Sequence, residues 1–403
     1  MARIVQKYGG SSVADADCMR RVAQRIHETR EAGNDVVVVV SAMGDTTDEL
    51  IQLAQEVHAS PDDREMDQLM AAGEQISSSV LTMALHAMGC EAVSMTGPQA
   101  GIRTDAAHTR AKITGIDPAR VHQALGFGRV VIIAGFQGLT PASDVATLGR
   151  GGSDTTAVAL AAALEADKCQ IFTDVDGVYT TDPRICSGAR KLDRITCDEV
   201  LELASLGAKV LHSRSVEIAK KYGVRLEVLS SFKRSPGTEI VEGDSSMEDV
   251  VVRGIAADKG QCKVTLHGVP DSPGVAARVF HRLADHDVNV DMIVQNVSEE
   301  GHTNISFTIP VSDMKRAKTA ADELSRELEA QGVDFDEDIA KVSIVGIGMK
   351  SHSGVASRMF SALAEHGINI GMISTSEIKI SIVIARDSAD EAVRVLHKSF
   401  ELE

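Results

Sequence analysis

A lysine two residues ahead of a glycine pair opens the chain: Lys7, Tyr8, Gly9, Gly10, Ser11 and Ser12 read K-Y-G-G-S-S. That spacing suits a phosphate. A short apolar-alternating strand, Ile4 to Tyr8, delivers the lysine, and two residues without Cβ let the backbone approach an anion. The run from Val13 to Arg30 then reads as a helix whose positive end faces the same spot. Taken alone, a Gly-Gly turn after a strand is ordinary punctuation. A second glycine segment changes the reading. Leu148 to Thr156 runs L-G-R-G-G-S-D-T-T, between an apolar strand (Val130 to Ala134, with Phe136) and an Ala/Leu-rich helix, Ala157 to Glu165. Two such turns, one carrying Lys7 and the other Arg150 and Asp154, are more than punctuation.

The elements that position these turns belong to an α/β domain. Short β-rich runs alternate with longer helical ones up to about residue 230, which predicts a mostly parallel sheet. Asp35 to Ser41 contains an unbroken valine run and reads as a strand buried on both faces. Further strands are expected at Ala92 to Met95, Val130 to Ala134, Gln170 to Thr173 and Arg225 to Leu229, with helices at Met66 to Met88 and Thr196 to Leu206. In open α/β sheets ligands collect at the carboxyl ends of strands, where Lys7, Ser41, Arg150 and Asp174 all fall.

Composition bounds the rest. At 403 residues the chain exceeds a single core, so two or more domains are expected. Aromatics make up 3% with no Trp, and the formal charge is −17, which argues against nucleic-acid binding. The six cysteines are scattered without a C-x-x-C pair, so neither zinc nor a disulfide framework is suggested and no metal ligands are assigned. No basic leader and no membrane-length apolar window is present, so a cytoplasmic protein without a membrane partner is expected.

The second half repeats itself. A turn-rich, acidic stretch near residues 233–250 marks a linker after a first domain of residues 1–232. Beyond it, Lys263 to Val269 matches Lys341 to Ile347, Gly274 to Phe280 matches Gly354 to Phe360, Leu283 to Val290 answers Leu363 to Ile370, and Asn304 to Ile309 answers Lys379 to Ile384. Each copy reads as strand, glycine turn, helix, strand, alternating strand and second helix, a β-α-β-β-α-β unit at about 263–336 and 341–403, with the second helices at Ser312 to Gln331 and Ala389 to Leu396. A strand near 251–257 is expected to join the second copy.

Several routes to phosphate or acyl chemistry are closed by inspection. No G-x-x-x-x-G-K-[ST], no G-x-G-x-x-G at a strand-to-helix turn and no G-x-S-x-G occurs. What remains includes a strand ending Thr173-Asp174-Val175-Asp176-Gly177-Val178-Tyr179, followed by Thr180-Thr181-Asp182-Pro183-Arg184, a polar, turn-rich stretch suited to a nucleotide.

Together K-Y-G-G-S-S at Lys7 to Ser12, S-A-M-G-D-T-T at Ser41 to Thr47, A-G-E at Ala72 to Glu74, G-R-G-G-S-D at Gly149 to Asp154, T-D-V-D-G-V-Y-T-T-D-P-R at Thr173 to Arg184 and the tandem repeats resemble the aspartate kinase family. The resemblance covers essentially the whole chain. It implies the amino-acid kinase fold followed by two ferredoxin-like ACT domains, and transfer of the ATP γ-phosphoryl group to the side-chain carboxylate of L-aspartate. By that resemblance Lys7 stabilises the transferring group, Asp154 holds Lys7, and Thr47, Glu74, Arg150 and Ser153 bind the substrate. Asp154 has a second reading, as N-cap of a helix beginning near Thr155. ATP is expected against Lys7, Tyr8, Gly9, Gly10, Ser41, Gly151, Gly152, Thr173, Asp174, Tyr179, Arg184 and Lys209, with Mg2+ held mainly by its phosphates.

The repeats are expected to bind lysine, threonine or both as feedback inhibitors. Asp271, Gly274, Val275, Ala276, Asn289, Asp291 and Gln295 would serve in one copy, and Val355, Ala356, Asn369, Ile370, Ser376 and Glu377 in the other. Paired ACT units imply a homo-oligomer, and an internal start at Met247 would add a short chain in an α2β2 assembly. Two rivals stand beside this reading: a kinase of the same fold acting on glutamate, acetylglutamate or a nucleotide, and an inactive regulatory amino-acid-binding protein. The first relatives lack the tandem repeat, and intact Lys7, Arg150 and Asp154 argue against the second.

Overall fold

The structure, a computed structural model, describes residues 2–205, 211–243, 252–296, 301–347, 349, 352 and 354–403. Lys209, Met247 and Ser353 lie outside the described residues. The chain divides into two compact units, one of residues 2–178, 191–204 and 211–243, the other of residues 179–190 and 252–403.

In the first unit the elements are β1 Arg3–Tyr8, α1 Ala16–Glu31, β2 Asp35–Val40, α2 Thr46–Val57, α3 Asp63–His86, β3 Ala92–Met95, β4 Ile102–Thr104, β5 Ile113–Ile116, α4 Ala119–Gly126 and β6 Val130–Ala134. They continue with β7 Gln137–Leu139, β8 Val145–Thr147, α5 Gly152–Ala163, β9 Lys168–Thr173, β10 Arg194–Thr196, α6 Cys197–Ser205, α7 Ser213–Tyr222, β11 Leu226–Ser230 and β12 Thr238–Val241. The main sheet runs β10-β12-β11-β9-β1-β2-β6-β3 and is parallel except between β11 and β12. The valines of β2 are fully buried at its centre, because neither face of the strand offers a polar group to solvent. Tyr8 pairs in register with Val40 and Phe172, and Val40 with Ala134, so the segments leaving β1, β2, β6 and β9 emerge along one edge. That edge carries the chemistry.

Two helix starts differ from the sequence reading. α1 begins at Ala16 rather than Val13, after a 3-10 turn over Gly10–Val13. Its N-cap is Asp15, whose carboxylate accepts the Cys18 N–H at 2.7 Å, so the helix's positive end is met by its own acid and not by the glycine turn. α5 begins at Gly152, five residues before the Ala/Leu run, and so brings Ser153 and Asp154 into its first turn. The N-cap is Gly151 in the left-handed region; Asp154 is not the cap.

The second unit comprises β13 Gly254–Asp258, β14 Gln261–Pro270, α8 Val275–Asp285, β15 Ile293–Gln295, β16 His302–Pro310, α9 Met314–Glu327, β17 Gly332–Asp336, β18 Ile339–Val345, α10 Val355–Glu365, β19 Met372–Thr375, β20 Lys379–Ala385 and α11 Ala389–Ser399. It holds two antiparallel four-stranded sheets, β15-β16-β14-β17 and β13-β18-β20-β19. Thus the strand before the first copy pairs with β18 of the second. Each sheet packs its two helices around a separate apolar core. The strand that follows the first helix of each copy begins at Ile293 and Met372, beyond Val288 and Ile368. The reason is local. Asp287 and Gly367 adopt left-handed backbone, and Val288 and Ile368 turn back to donate to the carbonyls of Leu283 and Leu363, sealing the helix ends with a buried apolar side chain. Residues 179–190 fasten onto this unit: the Thr180 hydroxyl meets His397 Nε2 at 2.9 Å, the Ile255 N–H donates to Thr180 O at 2.7 Å, and Arg190 donates to Leu402 O at 3.0 Å.

Candidate active site

An open cleft of about 280 Å³ lies at the carboxyl edge of the main sheet, lined from both glycine turns and from the 41–47 segment. Lys7, the penultimate residue of β1, reaches Asp154 of α5 at 2.7 Å, with both side chains mostly buried. The contact is an ion pair rather than an aligned hydrogen bond. Gly9 adjoins the pair: a Cβ there would lie 3.4 Å from Lys7 Nζ, an ordinary van der Waals contact. Gly10 is pressed against the next segment, where a Cβ would meet Ala42 O and Gly44 O at 3.0 Å each. The Gly9 amide already donates to Phe172 O over a long 3.4 Å.

Glu74 is placed by a glycine in the middle of α3. A Cβ on Gly73 would come to 2.8 Å from Ala42 Cβ, so only glycine lets the helix lie this close to the 41–44 segment. At that distance Glu74 Oε1 accepts the Ala42 N–H at 3.1 Å. Its other oxygen, Oε2, is buried and has no hydrogen-bond partner among the described residues. Burial pushes the carboxyl up to about 7, against a smaller lowering by the amide bond from Ala42.

Arg150 sits exposed on the second turn, Ser153 is buried in the first turn of α5, and Thr47 lies in the first turn of α2; all three line the same cleft as Lys7, Glu74 and Ser41. The turn needs its glycines: Gly149 and Gly151 have φ of 74° and 72°. Thr173 and Asp174 stand at the end of β9, the threonine hydroxyl donating to the Asp174 carboxylate at 2.9 Å. Tyr8 is different. Its ring is fully buried and stacks on Phe172 at 4.6 Å, so only its backbone could face a ligand. Tyr179 and Arg184 belong to the second unit, where Arg184 forks onto Asp182 at 2.7 Å.

The cleft also contains Phe136, Ala42 and Gly44, which the sequence reading did not single out. Phe136 has φ of 69°. Its amide donates to Thr156 Oγ1 at 3.1 Å and its carbonyl receives Leu148 N–H at 2.8 Å, contacts that hold a bulky residue in a strained conformation beside the second glycine turn. Nothing in the sequence marks a phenylalanine for positive φ.

In the second unit a cavity of about 460 Å³ is lined by Gly354, Ala356, Thr375, Ser376 and Glu377, among others. Ala356, Ser376 and Glu377 are among the residues expected to bind an effector. Gly354 and Gly274 cap α10 and α8 from the left-handed region. Val275 and Val355 are buried, and Asp291 is engaged by the buried Lys341 ammonium.

Residues 2–230 match the model of the amino acid kinase family, and residues 264–324 and 342–400 match that of the ACT domain. An aspartokinase of Mycolicibacterium smegmatis is 53% identical over 408 aligned residues, covering all of this chain and 97% of that protein. An aspartate kinase of Stutzerimonas stutzeri is 51% identical with similar coverage. The chain belongs to the amino acid kinase family, among the aspartokinases. It is therefore a phosphotransferase with a carboxyl group as acceptor. Among solved structures, E. coli aspartokinase III in complex with aspartate and ADP superposes with a TM-score of 0.81 at 27% identity, over 98% of this chain and 99% of that one. The lysine and aspartate complex of the same E. coli enzyme gives 0.74 at 28% identity. Among the described residues, no helix of this aspartokinase is long and apolar enough to cross a membrane.

Proposed function

We propose that the cleft of the first unit transfers the γ-phosphoryl group of ATP to the β-carboxylate of L-aspartate, giving 4-phospho-L-aspartate and ADP, the first step towards lysine, threonine and methionine in the cytoplasm. The observation that carries this reading is Glu74, a buried carboxylate with one oxygen unpartnered among the described residues, in the same cleft as Arg150 and the Lys7–Asp154 pair. Glu74 suits the ammonium of an amino-acid substrate and Arg150 one of its carboxylates, while Lys7 and Asp154 offset each other. The E. coli relative solved with aspartate and ADP supports the same assignment.

The acceptor carboxylate is ionised at neutral pH, so its oxygen attacks the γ-phosphorus without a general base while the bond to the bridging oxygen breaks and ADP leaves with that electron pair. Catalysis then rests on alignment and charge compensation. Lys7 meets the charge on the phosphoryl oxygens, Asp154 orients Lys7, and the amides of Gly10 and Gly151 offer donors, while the Gly152 amide is taken by Gly149 O at 2.9 Å. Arg150 clamps a substrate carboxylate, Glu74 receives the ammonium, and the hydroxyls of Thr47 and Ser153 complete the substrate's contacts. Ser41, Thr173 and Asp174 serve the nucleotide; Tyr179, Arg184 and Lys209 rest on the family resemblance alone. Mg2+, when bound with ATP, would supply charge neutralisation, with its ligands coming mainly from the phosphates. Asp154 is engaged by Lys7, and among the described residues no three His, Cys, Asp or Glu side chains are grouped to hold an ion.

Lysine, threonine or both inhibit through the ACT units, which also join copies of the chain. The cavity beside Ser376 and Glu377 and the lysine complex of the E. coli relative support that reading. Hydroxylamine trapping of acyl phosphate tests the substrate. L-Aspartate should give product, while succinate, which lacks the ammonium, should lose roughly a hundredfold in kcat/KM because Glu74 is left buried and unpaired. Equal turnover of the two would overturn the role of Glu74.

A further inference from the structure

His212 is the N-cap residue of α7, and its ring lies on the second glycine turn. A Cβ built on Gly151 would fall 2.2 Å from His212 Cγ, 2.4 Å from its Cβ and 2.5 Å from its Cδ2. The imidazole therefore occupies the space that a side chain on residue 151 would need. Its Nδ1 is buried and has no hydrogen-bond partner among the described residues, so the nitrogen contributes no bond that would account for the ring's placement.

The surroundings brace the same turn. Two residues on, Arg214 donates to Leu148 O at 2.6 Å and to Ala111 O at 3.0 Å, tying α7 to the strand end that leads into the turn. Ser215 anchors the His212 carbonyl with its hydroxyl at 2.6 Å and its amide at 3.0 Å. From the other side the Thr109 carbonyl stands 3.0 Å from where a Cβ of Gly149 would be, and Phe136 and Leu148 close over Gly152. The turn that presents Arg150 and opens α5 is thus held on several sides, and His212 is the side chain that fills the space against Gly151. The charged groups around the ring are Asp154 of α5, Arg150 of the turn, and Arg214 and Glu217 of α7. Burial holds the imidazole below the ordinary histidine value. Arg214 and Arg150 reinforce that lowering, while Asp154 and Glu217 oppose it.

We propose that His212 is a positioning residue for phosphoryl transfer: the shape of its ring, packed where Gly151 lacks a Cβ, fixes the turn that aims Arg150 at the substrate and the Gly151 amide at the phosphoryl group. Bulk matters and the ring nitrogens do not. The proposal rests on the aspartate kinase reading, and wild-type acyl phosphate formation from L-aspartate, measured first, tests that reading separately.

His212→Ala should then lower kcat/KM for aspartate by about thirtyfold, mostly through KM, while the melting temperature moves by only a few degrees, because misplacing a binding group by a fraction of an ångström is costly. His212→Leu keeps atoms at Cβ, Cγ and Cδ and has no nitrogen; it should stay within about threefold of wild type. A His212→Leu enzyme as impaired as His212→Ala would overturn the proposal. A loss of stability in His212→Ala with unchanged KM would do the same.

Discussion

Replacing Glu74 by Gln separates stability from function. In the free enzyme the carboxyl is raised from 4.5 to about 7 by burial, which corresponds to about 3 kcal/mol of native-state free energy lost once the group ionises. The sign follows from proton counting. Between pH 4.5 and about 7 the native state holds this proton more tightly than the unfolded chain, so stability falls as pH rises through that window, and the full cost is present above it. Gln keeps an oxygen for the Ala42 N–H and removes the buried charge. At pH 8 without ligand the variant should be more stable by up to about 3 kcal/mol, a rise of about 5 °C or more in the transition of the first unit, shrinking towards zero as pH approaches 4.5. Function should move the other way. Losing a charge-assisted bond to the substrate ammonium, worth about 1.5–3 kcal/mol, raises the aspartate KM roughly 10- to 150-fold. Wild-type kcat/KM for aspartate should climb between pH 6 and 8 with an apparent pKa near 7, and the Gln variant should lose that limb. Thermal unfolding at two pH values and steady-state kinetics on the same protein preparations measure both halves. A variant no more stable than wild type at pH 8, with an unchanged aspartate KM, would refute the account of Glu74.

Three other outcomes are expected. Lys7→Ala should cut turnover by roughly a hundredfold or more while circular dichroism and melting remain close to wild type, since it removes a preorganised cation without touching the core. Gly73→Ala places a methyl group 2.8 Å from Ala42 Cβ and should destabilise the first unit by about 1–3 kcal/mol, with an accompanying rise in aspartate KM as the 41–44 segment is pushed off Glu74. Glu377→Gln, on the second-unit cavity, should raise the effector concentration for half inhibition about tenfold, within the usual range of allosteric coupling; unchanged inhibition would move the effector elsewhere.

Much of this architecture is legible in the sequence because its signals are local. The valine run of β2 admits no polar face, and the glycine turns announce close backbone approach before any contact is known. The internal repeat carries its own register. Lys7 and Asp154, 147 positions apart in sequence, meet only because β1 ends and α5 begins at the same sheet edge, an inference the parallel-strand rule permits. What was not legible depends on tertiary context. Phe136 adopts positive φ because Thr156 and Leu148 bind its backbone, and no residue type signals that. The helix at Gly152 starts early since a left-handed Gly151 caps it, whereas the Ala/Leu run suggested a later start. Val288 and Ile368 look like strand residues yet plug helix ends, since a buried β-branched residue serves either purpose. His212 reads as an ordinary residue ahead of a helix until the missing Cβ of Gly151 is placed against it.

Reduction of the acyl phosphate product shows which carboxylate has been phosphorylated. The enzyme would be incubated with ATP, Mg2+ and L-aspartate, the product reduced with borohydride, and the resulting amino alcohol identified by mass spectrometry and chromatography. Phosphorylation of the side-chain carboxylate gives homoserine, the result expected if Glu74 and Arg150 hold the α-ammonium and a carboxylate while the side chain faces Lys7. The isomer 3-amino-4-hydroxybutyrate, or no amino alcohol at all from a folded, ATP-binding protein, would contradict it.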